Sequence, residues 1–205
     1  LLPLSPSSSV ISAILACTAL SHLTAALSAT RMFSYVGPSN NKYLDLGDYP
    51  IDLRDENPAK EVFHNSYLKN LYLDISNTTA NNLFVGNDMD RDIRPYRNVT
   101  IKCNANTKFT APFYYSNFDK LMFTNDSEIA QKGIVLDYAM SLSKESITNI
   151  INTLSITTSG LSITFNKKSV NTAFGINVDD TTTYPEGSEY YTLRHSKDNW
   201  TISYV

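Results

Sequence analysis

Acidic residues at alternate positions are a common way for a short segment to hold a hard cation, and Asp88, Asp90 and Asp92 in NDMDRD have that spacing. An EF-hand calcium loop also needs Gly at its sixth position and Glu at its twelfth, where this chain has Ile93 and Val99. The segment therefore reads as a solvated turn whose acids are balanced by Arg91, Arg94 and Arg97. His22, His64 and His195 stand apart in the chain, and no GxSxG, HExxH or phosphate-loop pattern occurs. A glycoside-cleaving carboxylate pair would draw on Glu56, Glu61, Glu128, Glu145, Glu186 and Glu189, all placed in expected loops or helix starts. Cys17 and Cys103 are too far apart for a CxxC pair and read as buried free thiols. No catalytic residue, metal or cofactor is expected. The N-x-S/T triplets at Asn77, Asn98, Asn125 and Asn199 read as coincidences in a chain rich in Asn, Ser and Thr.

The densest group of side chains suited to binding lies in the tail TTTYPEGSEYYTLRHSKDNW. Tyr184, Tyr190, Tyr191, His195 and Trp200 stand there among Arg194, Asp198 and Asn199. Such residues stack on sugars or anchor protein interfaces, and these five are the candidate binding residues. The favoured reading is nevertheless that they shield the last apolar layer of the fold, as a terminal unit must.

The elements that would position these groups are set by composition and periodicity. A chain of 205 residues, 42% hydrophobic and 18% charged, is long enough for a substantial core. A net charge of -3 gives no broad basic field, so nucleic acid is not an expected partner. The most apolar run, VISAILACTALSHLTAALSA at 10–29, is interrupted by Ser12, Thr18, Ser21, His22, Thr24 and Ser28, so no membrane span is expected. Residues 1–30 contain no Lys or Arg, which argues against a secretion leader and for a buried turn and strand. The chain starts at Leu1 and not Met, from which a longer polypeptide is expected.

A four-residue pattern recurs: Tyr43-Leu44-Asp45-Leu46, Tyr72-Leu73-Asp74-Ile75, Thr100-Ile101-Lys102-Cys103, Lys120-Leu121-Met122-Phe123, Val135-Leu136-Asp137-Tyr138, Ser162-Ile163-Thr164-Phe165 and Thr201-Ile202-Ser203-Tyr204. Apolar residues at its second and fourth positions make one face of a half-buried strand. The copies follow one another at roughly 15 to 39 residues. A ladder of parallel strands in one sheet is expected, and an antiparallel sandwich of seven short strands is the competing arrangement. One return segment is helical: in SLSKESITNIINTLS, Ser143 is the N-cap, Glu145 lies in the first turn, and Ile147, Ile150, Ile151 and Leu154 share a face. With Gly160 turning the chain into the next strand, residues 134–165 should form a strand, helix, strand crossover between parallel strands.

Cys17-Thr18-Ala19-Leu20 and Met32-Phe33 in CTALSHLTAALSATRMFSYVG, and Phe63, Leu68, Leu71 and Leu73 in VFHNSYLKNLYLDIS, resemble the repeat of BspA-like leucine-rich-repeat surface proteins. The segments VLDYAMSLSKESITNIINTLS and DNWTISYV are similar to closing segments of such repeats on bacterial surfaces and in phage tail proteins. A standard repeat places Asn or Cys three residues after Leu73. Here Ser76 stands there and Asn77 follows one step late, so an altered turn is expected instead of a regular asparagine ladder. The resemblance implies an α/β fold: one irregular leucine-rich-repeat-like solenoid over 1–205, with a mainly parallel ladder of short strands, one amphipathic helix and an aromatic C-terminal cap at 180–205. It further implies a non-enzymatic structural or recognition module. The expected setting is a phage tail appendage or baseplate in the virion, with a bacterial cell-surface adhesin as the alternative and a carbohydrate-active enzyme as a third. Its partners would be other virion or surface proteins, or a host surface glycan or protein.

Overall fold

The computed structural model describes residues 33, 45–47, 50–56, 58–85, 96–131 and 133–205. The 10–29 run, Cys17, His22 and the NDMDRD segment lie outside the described residues.

Alternating burial organises the first half. Strands β1 (Pro50–Asp52), β3 (Leu68–Asp74), β5 (Tyr96–Lys102) and β7 (Phe118–Phe123) form a four-stranded sheet in the order β1-β3-β5-β7. Between them run the short strands β2 (Ala59–Lys60), β4 (Thr79–Asn81) and β6 (Lys108–Thr110), which make a second sheet. A third sheet has the order β10-β9-β8, from β8 (Ile134–Leu136), β9 (Leu161–Phe165) and β10 (Trp200–Tyr204). Every strand pairing among the described residues is parallel. Among the described residues the fold is mixed α/β with three α-helices: α1 (Lys144–Thr153), α2 (Lys167–Phe174) and α3 (Glu189–His195).

The turns between the long and short sheets repeat as faithfully as the strands. Ala59, Ala80 and Phe109 are register partners, and a phenylalanine stands at the same offset from each: Phe63, Phe84 and Phe113. With Phe33 these rings stack in a column, with centroids 5.5 Å (Phe33 to Phe63), 5.3 Å (Phe63 to Phe84) and 5.9 Å (Phe84 to Phe113) apart. Stacked pairs of this kind add to the area they bury, and Phe63, Phe84 and Phe113 are fully buried. Backbone bonds follow the column, from the amides of Phe33, Phe63 and Phe84 to the carbonyls of Val62, Leu83 and Pro112. Buried hydroxyls tie neighbouring turns as well. Ser66 Oγ donates to the Phe33 carbonyl, Ser116 Oγ to that of Phe84, and the Tyr96 hydroxyl to that of Phe63. Glu61, Asn82 and Ala111 share one position in these turns, and all three have positive φ, so the stack imposes a left-handed turn even on residues with a Cβ.

At the opposite strand end, Ser76 and Asn77 lie in a turn. Asn77 is exposed, with φ of 65°; its backbone amide donates to Asn104 Oδ1 (3.2 Å) and its Oδ1 accepts from Asn104 Nδ2 (3.0 Å). The buried position is filled by hydroxyls instead: Thr78 Oγ1 donates to the Leu53 carbonyl (2.7 Å) and Thr107 Oγ1 to that of Ile75 (3.1 Å). Each carbonyl also accepts from a backbone amide, Leu53 from Glu56 (3.0 Å) and Ile75 from Thr78 (3.1 Å), so the hydroxyl adds a second bond.

Three expectations are corrected. The strand copies do not share one sheet: those at 72, 100 and 120 lie in the long sheet and those at 135, 162 and 201 in the third. Tyr43 and Leu44 lie outside the described residues, Asp45 and Leu46 are not in a strand, and Pro50–Asp52 pairs with β3 instead. The division has a physical cause at the far edge of β7. There Ser146 Oγ accepts from the Leu121 amide (3.2 Å), while Asn149 accepts from the Phe123 amide (2.6 Å) and donates to its carbonyl (2.9 Å). Side chains of α1 thus occupy the groups a further strand would need. The expected single helix is joined by α2 and α3, short helices capped by Asn166 and Ser188.

The crossover at 134–165 forms as expected. Ser143 caps α1, Ile147, Ile150, Ile151 and Leu154 are buried, and β8 pairs parallel to β9. Gly133 lies so close to β9 that a Cβ would sit 2.1 Å from the Ser162 carbonyl oxygen, so only glycine fits there.

Candidate functional site

Because Leu71, Leu73, Val99, Ile101, Leu121 and Phe123 point into the core, the residues between them form the solvent face of the long sheet. Parallel register aligns these residues into rows. Pro50, Tyr72, Thr100 and Met122 are successive partners across all four strands, and Asn70, Asn98 and Lys120 make a second row. Asp52, Asp74 and Lys102 make a third. In the second row, Asn98 Nδ2 donates to Asn70 Oδ1 (2.9 Å), and Asn70 Nδ2 donates to Asp45 (2.9 Å). These amides hold the Asp45 carboxyl below its ordinary range, the Asn70 bond contributing most and the Gly47 amide next.

The charges on this face are neutralised internally. Lys69 lies 3.6 Å from Asp45, Arg54 2.6 Å from Asp52 and 3.8 Å from Asp74, Arg97 2.6 Å from Asp119, Lys102 2.9 Å from Asp126, and Lys120 2.9 Å from Glu145. The rest of the face is neutral: the Tyr72 ring, the Thr100 hydroxyl, the Met122 thioether and the asparagine amides. Where α1 meets the sheet, an open groove of about 580 Å³ continues the face, lined by Met122, Thr124 and Ser127 on one side and Thr148, Asn149 and Asn152 on the other.

The tail residues are placed differently from one another. Tyr184, Tyr190 and Trp200 are buried, with relative exposures of 3%, 2% and 6%. The Tyr184 hydroxyl donates to the Val178 carbonyl (3.1 Å), the Trp200 indole N–H to that of Ser155 (2.8 Å), and the Tyr190 hydroxyl bonds that of Tyr204. Burial is the main reason the Tyr190 phenol is raised above its ordinary value. Tyr191 is half-buried and His195 exposed, their rings 4.0 Å apart, and His195 Nδ1 is 2.7 Å from the Tyr191 carbonyl oxygen. Arg194 donates to the Tyr184 hydroxyl (3.0 Å) and lies over the Tyr204 ring. Of the five candidates, three are core residues and two, on α3, reach solvent.

Cys103 is a buried free thiol, and burial pushes its pKa up to about 12, so it carries no nucleophilic thiolate at neutral pH. Glu145 and Glu189 are in surface ion pairs with Lys120 and Lys144. Among the described residues no cluster of His, Cys, Asp and Glu is arranged to hold a metal ion, and no helix is long and apolar enough to cross a membrane.

The rows of the long sheet were not singled out by the residue pattern, although their signal was present as the non-apolar positions of the recurring strands. No family model matches the chain, and no curated protein or solved structure matches it.

Proposed function

We propose that this chain is a non-enzymatic recognition module, a leucine-rich-repeat-like solenoid whose long sheet presents a rigid docking face to a partner protein or a host surface. The observation that carries the reading is the aligned solvent row Tyr72, Thr100 and Met122 beside Asn70 and Asn98, held in register by parallel strands. A rigid face of this kind gives affinity through complementarity centred on a few anchors, with Tyr72 the aromatic one. Tyr191 and His195, the tail candidates that reach solvent, offer a second contact patch. The setting that goes with this reading is a phage tail appendage or baseplate, with a bacterial surface adhesin as its alternative.

The test is binding of the labelled full chain to intact host bacteria, alongside mass spectrometry of purified virions and of host membrane fractions. Tyr72→Ala and Asn98→Lys should each weaken binding about tenfold or more with the fold intact, while Ser162→Lys on the third sheet should leave it unchanged. Loss confined to Tyr191→Ala and His195→Ala would move the site to α3. Absence of the chain from virions would remove the tail setting.

A further inference from the structure

The third sheet ends in a strand whose outer edge is open and self-complementary. β10 is the outermost strand in the order β10-β9-β8. Val205 donates to the Phe165 carbonyl (3.1 Å) and accepts from the Lys167 amide (2.8 Å), so it faces β9, and by the alternation of a parallel ladder Ser203 and Thr201 do too. The backbones of Trp200, Ile202 and Tyr204 consequently point away from β9. The Trp200 amide is bonded to the Lys197 carbonyl (2.8 Å). Among the described residues, no hydrogen bond takes up the Trp200 carbonyl or the backbone groups of Ile202 and Tyr204.

Proteins usually guard such an edge with Lys, Pro, a bulge or a covering helix. β7 is guarded in this way by Ser146 and Asn149. Among the described residues β10 shows none of these devices: Trp-Thr-Ile-Ser-Tyr is uncharged, rich in aromatic and β-branched residues, and pairs with β9 alone. The side chains of Trp200 and Ile202 are buried and the Tyr204 hydroxyl is bonded to that of Tyr190, so the strand is fixed while its edge stays open.

We infer that this edge is the seam of a homodimer, in which β10 pairs antiparallel with β10 of a second copy about a two-fold axis at Ile202. In that register Ile202 faces Ile202, and each Trp200 faces a Tyr204. These are the residues whose backbones point outward, and opposite residues of this class in an antiparallel pair exchange hydrogen bonds. Ile202 exchanges both of its backbone bonds with its mate, and the Trp200 carbonyl accepts from the Tyr204 amide. Thr201 stands opposite Ser203, and the absence of charge on the strand means that self-pairing brings no like charges together. The result is an isologous interface and one sheet continuous through both copies.

Sedimentation velocity on the full chain, up to about 100 µM, tests this. The wild type should dimerise. Thr201→Lys with Ser203→Lys sets like charges opposite each other twice and should weaken dimerisation about tenfold or more. Thr201→Lys with Ser203→Glu makes two opposite-charge pairs and should restore it. Circular dichroism checks that both variants are folded. If a variant is not folded, hydrogen exchange of the wild-type Ile202 and Tyr204 amides decides, since their protection should rise with protein concentration. A wild type that stays monomeric overturns the inference, and so do equal affinities for both charge variants or exchange independent of concentration.

Discussion

Asp137 is the least comfortable side chain of the described core rim. Among the described residues its Oδ1 is buried with no hydrogen-bond partner, and burial raises its pKa above the ordinary 3.8, opposed by backbone hydrogen bonds from its own amide and that of Tyr138. The sign of the linkage follows. Between pH 3.8 and the raised native value the folded state binds more protons than the unfolded one, so stability falls as pH rises through that window. Asp137→Asn removes the charge and keeps the shape. It should leave stability at pH 3 nearly unchanged and raise it at pH 7, by no more than about 0.5 kcal/mol given how much solvent screens the group. Urea denaturation of both proteins across that range checks it, and a variant less stable at pH 7 would mean that the carboxylate makes a favourable contact. At this scale the sequence was legible where a residue type has one dominant habit. Cys103 was expected to be a buried thiol and is one, and Ser143 was expected to cap a helix and does. For Tyr184, Tyr190 and Trp200 it left two roles open, shielding of the last apolar layer and ligand contact, because a buried Tyr or Trp whose polar tip finds a carbonyl looks, in sequence, like one that binds a ligand; all three are buried.

Elements with a long period were readable and short ones were not. Helix α1 shows apolar residues on one face, an N-cap and an acidic first turn, and it forms where those signals place it. Strands β2, β4 and β6 have two or three residues each, too few for alternation to register, and they exist because stacked turns bring them into pairing distance. The break between the long sheet and the third also left no local signal. It depends on Ser146 and Asn149, ordinary polar residues of a helix surface until the helix docks on β7. Asn149→Ala should leave the Phe123 amide and carbonyl unpaired at a half-covered edge, costing about 1–3 kcal/mol. The loss should be local: hydrogen exchange of the Phe123 amide should quicken strongly while the amides of β3 and β5 change only as global stability does. Uniform acceleration across the sheet would instead make α1 part of one cooperative unit with it.

For the molecule as a whole, the long sheet's solvent face assembles one residue per strand from segments far apart in sequence, so no local cluster of residues marks it. Its electrostatics lead to a prediction that the tail does not share. Arg54, Lys69, Arg97, Lys102 and Lys120 each have an acid within 4.0 Å, so the face projects little net field despite its many charges. A partner docking there gains no long-range attraction. Association should proceed at the unsteered rate of about 10⁵–10⁶ M⁻¹s⁻¹, and raising salt from about 50 to 500 mM should change affinity by less than about threefold. Surface plasmon resonance against solubilised host envelope, at several ionic strengths, measures both. On α3, Glu189 is paired with Lys144, and among the described residues no ion pair neutralises Arg194, which adjoins His195, so binding through this patch to an acidic partner would weaken steeply with salt. A steep salt dependence that vanishes in an Arg194→Gln variant would therefore assign recognition to the tail helix and not to the sheet.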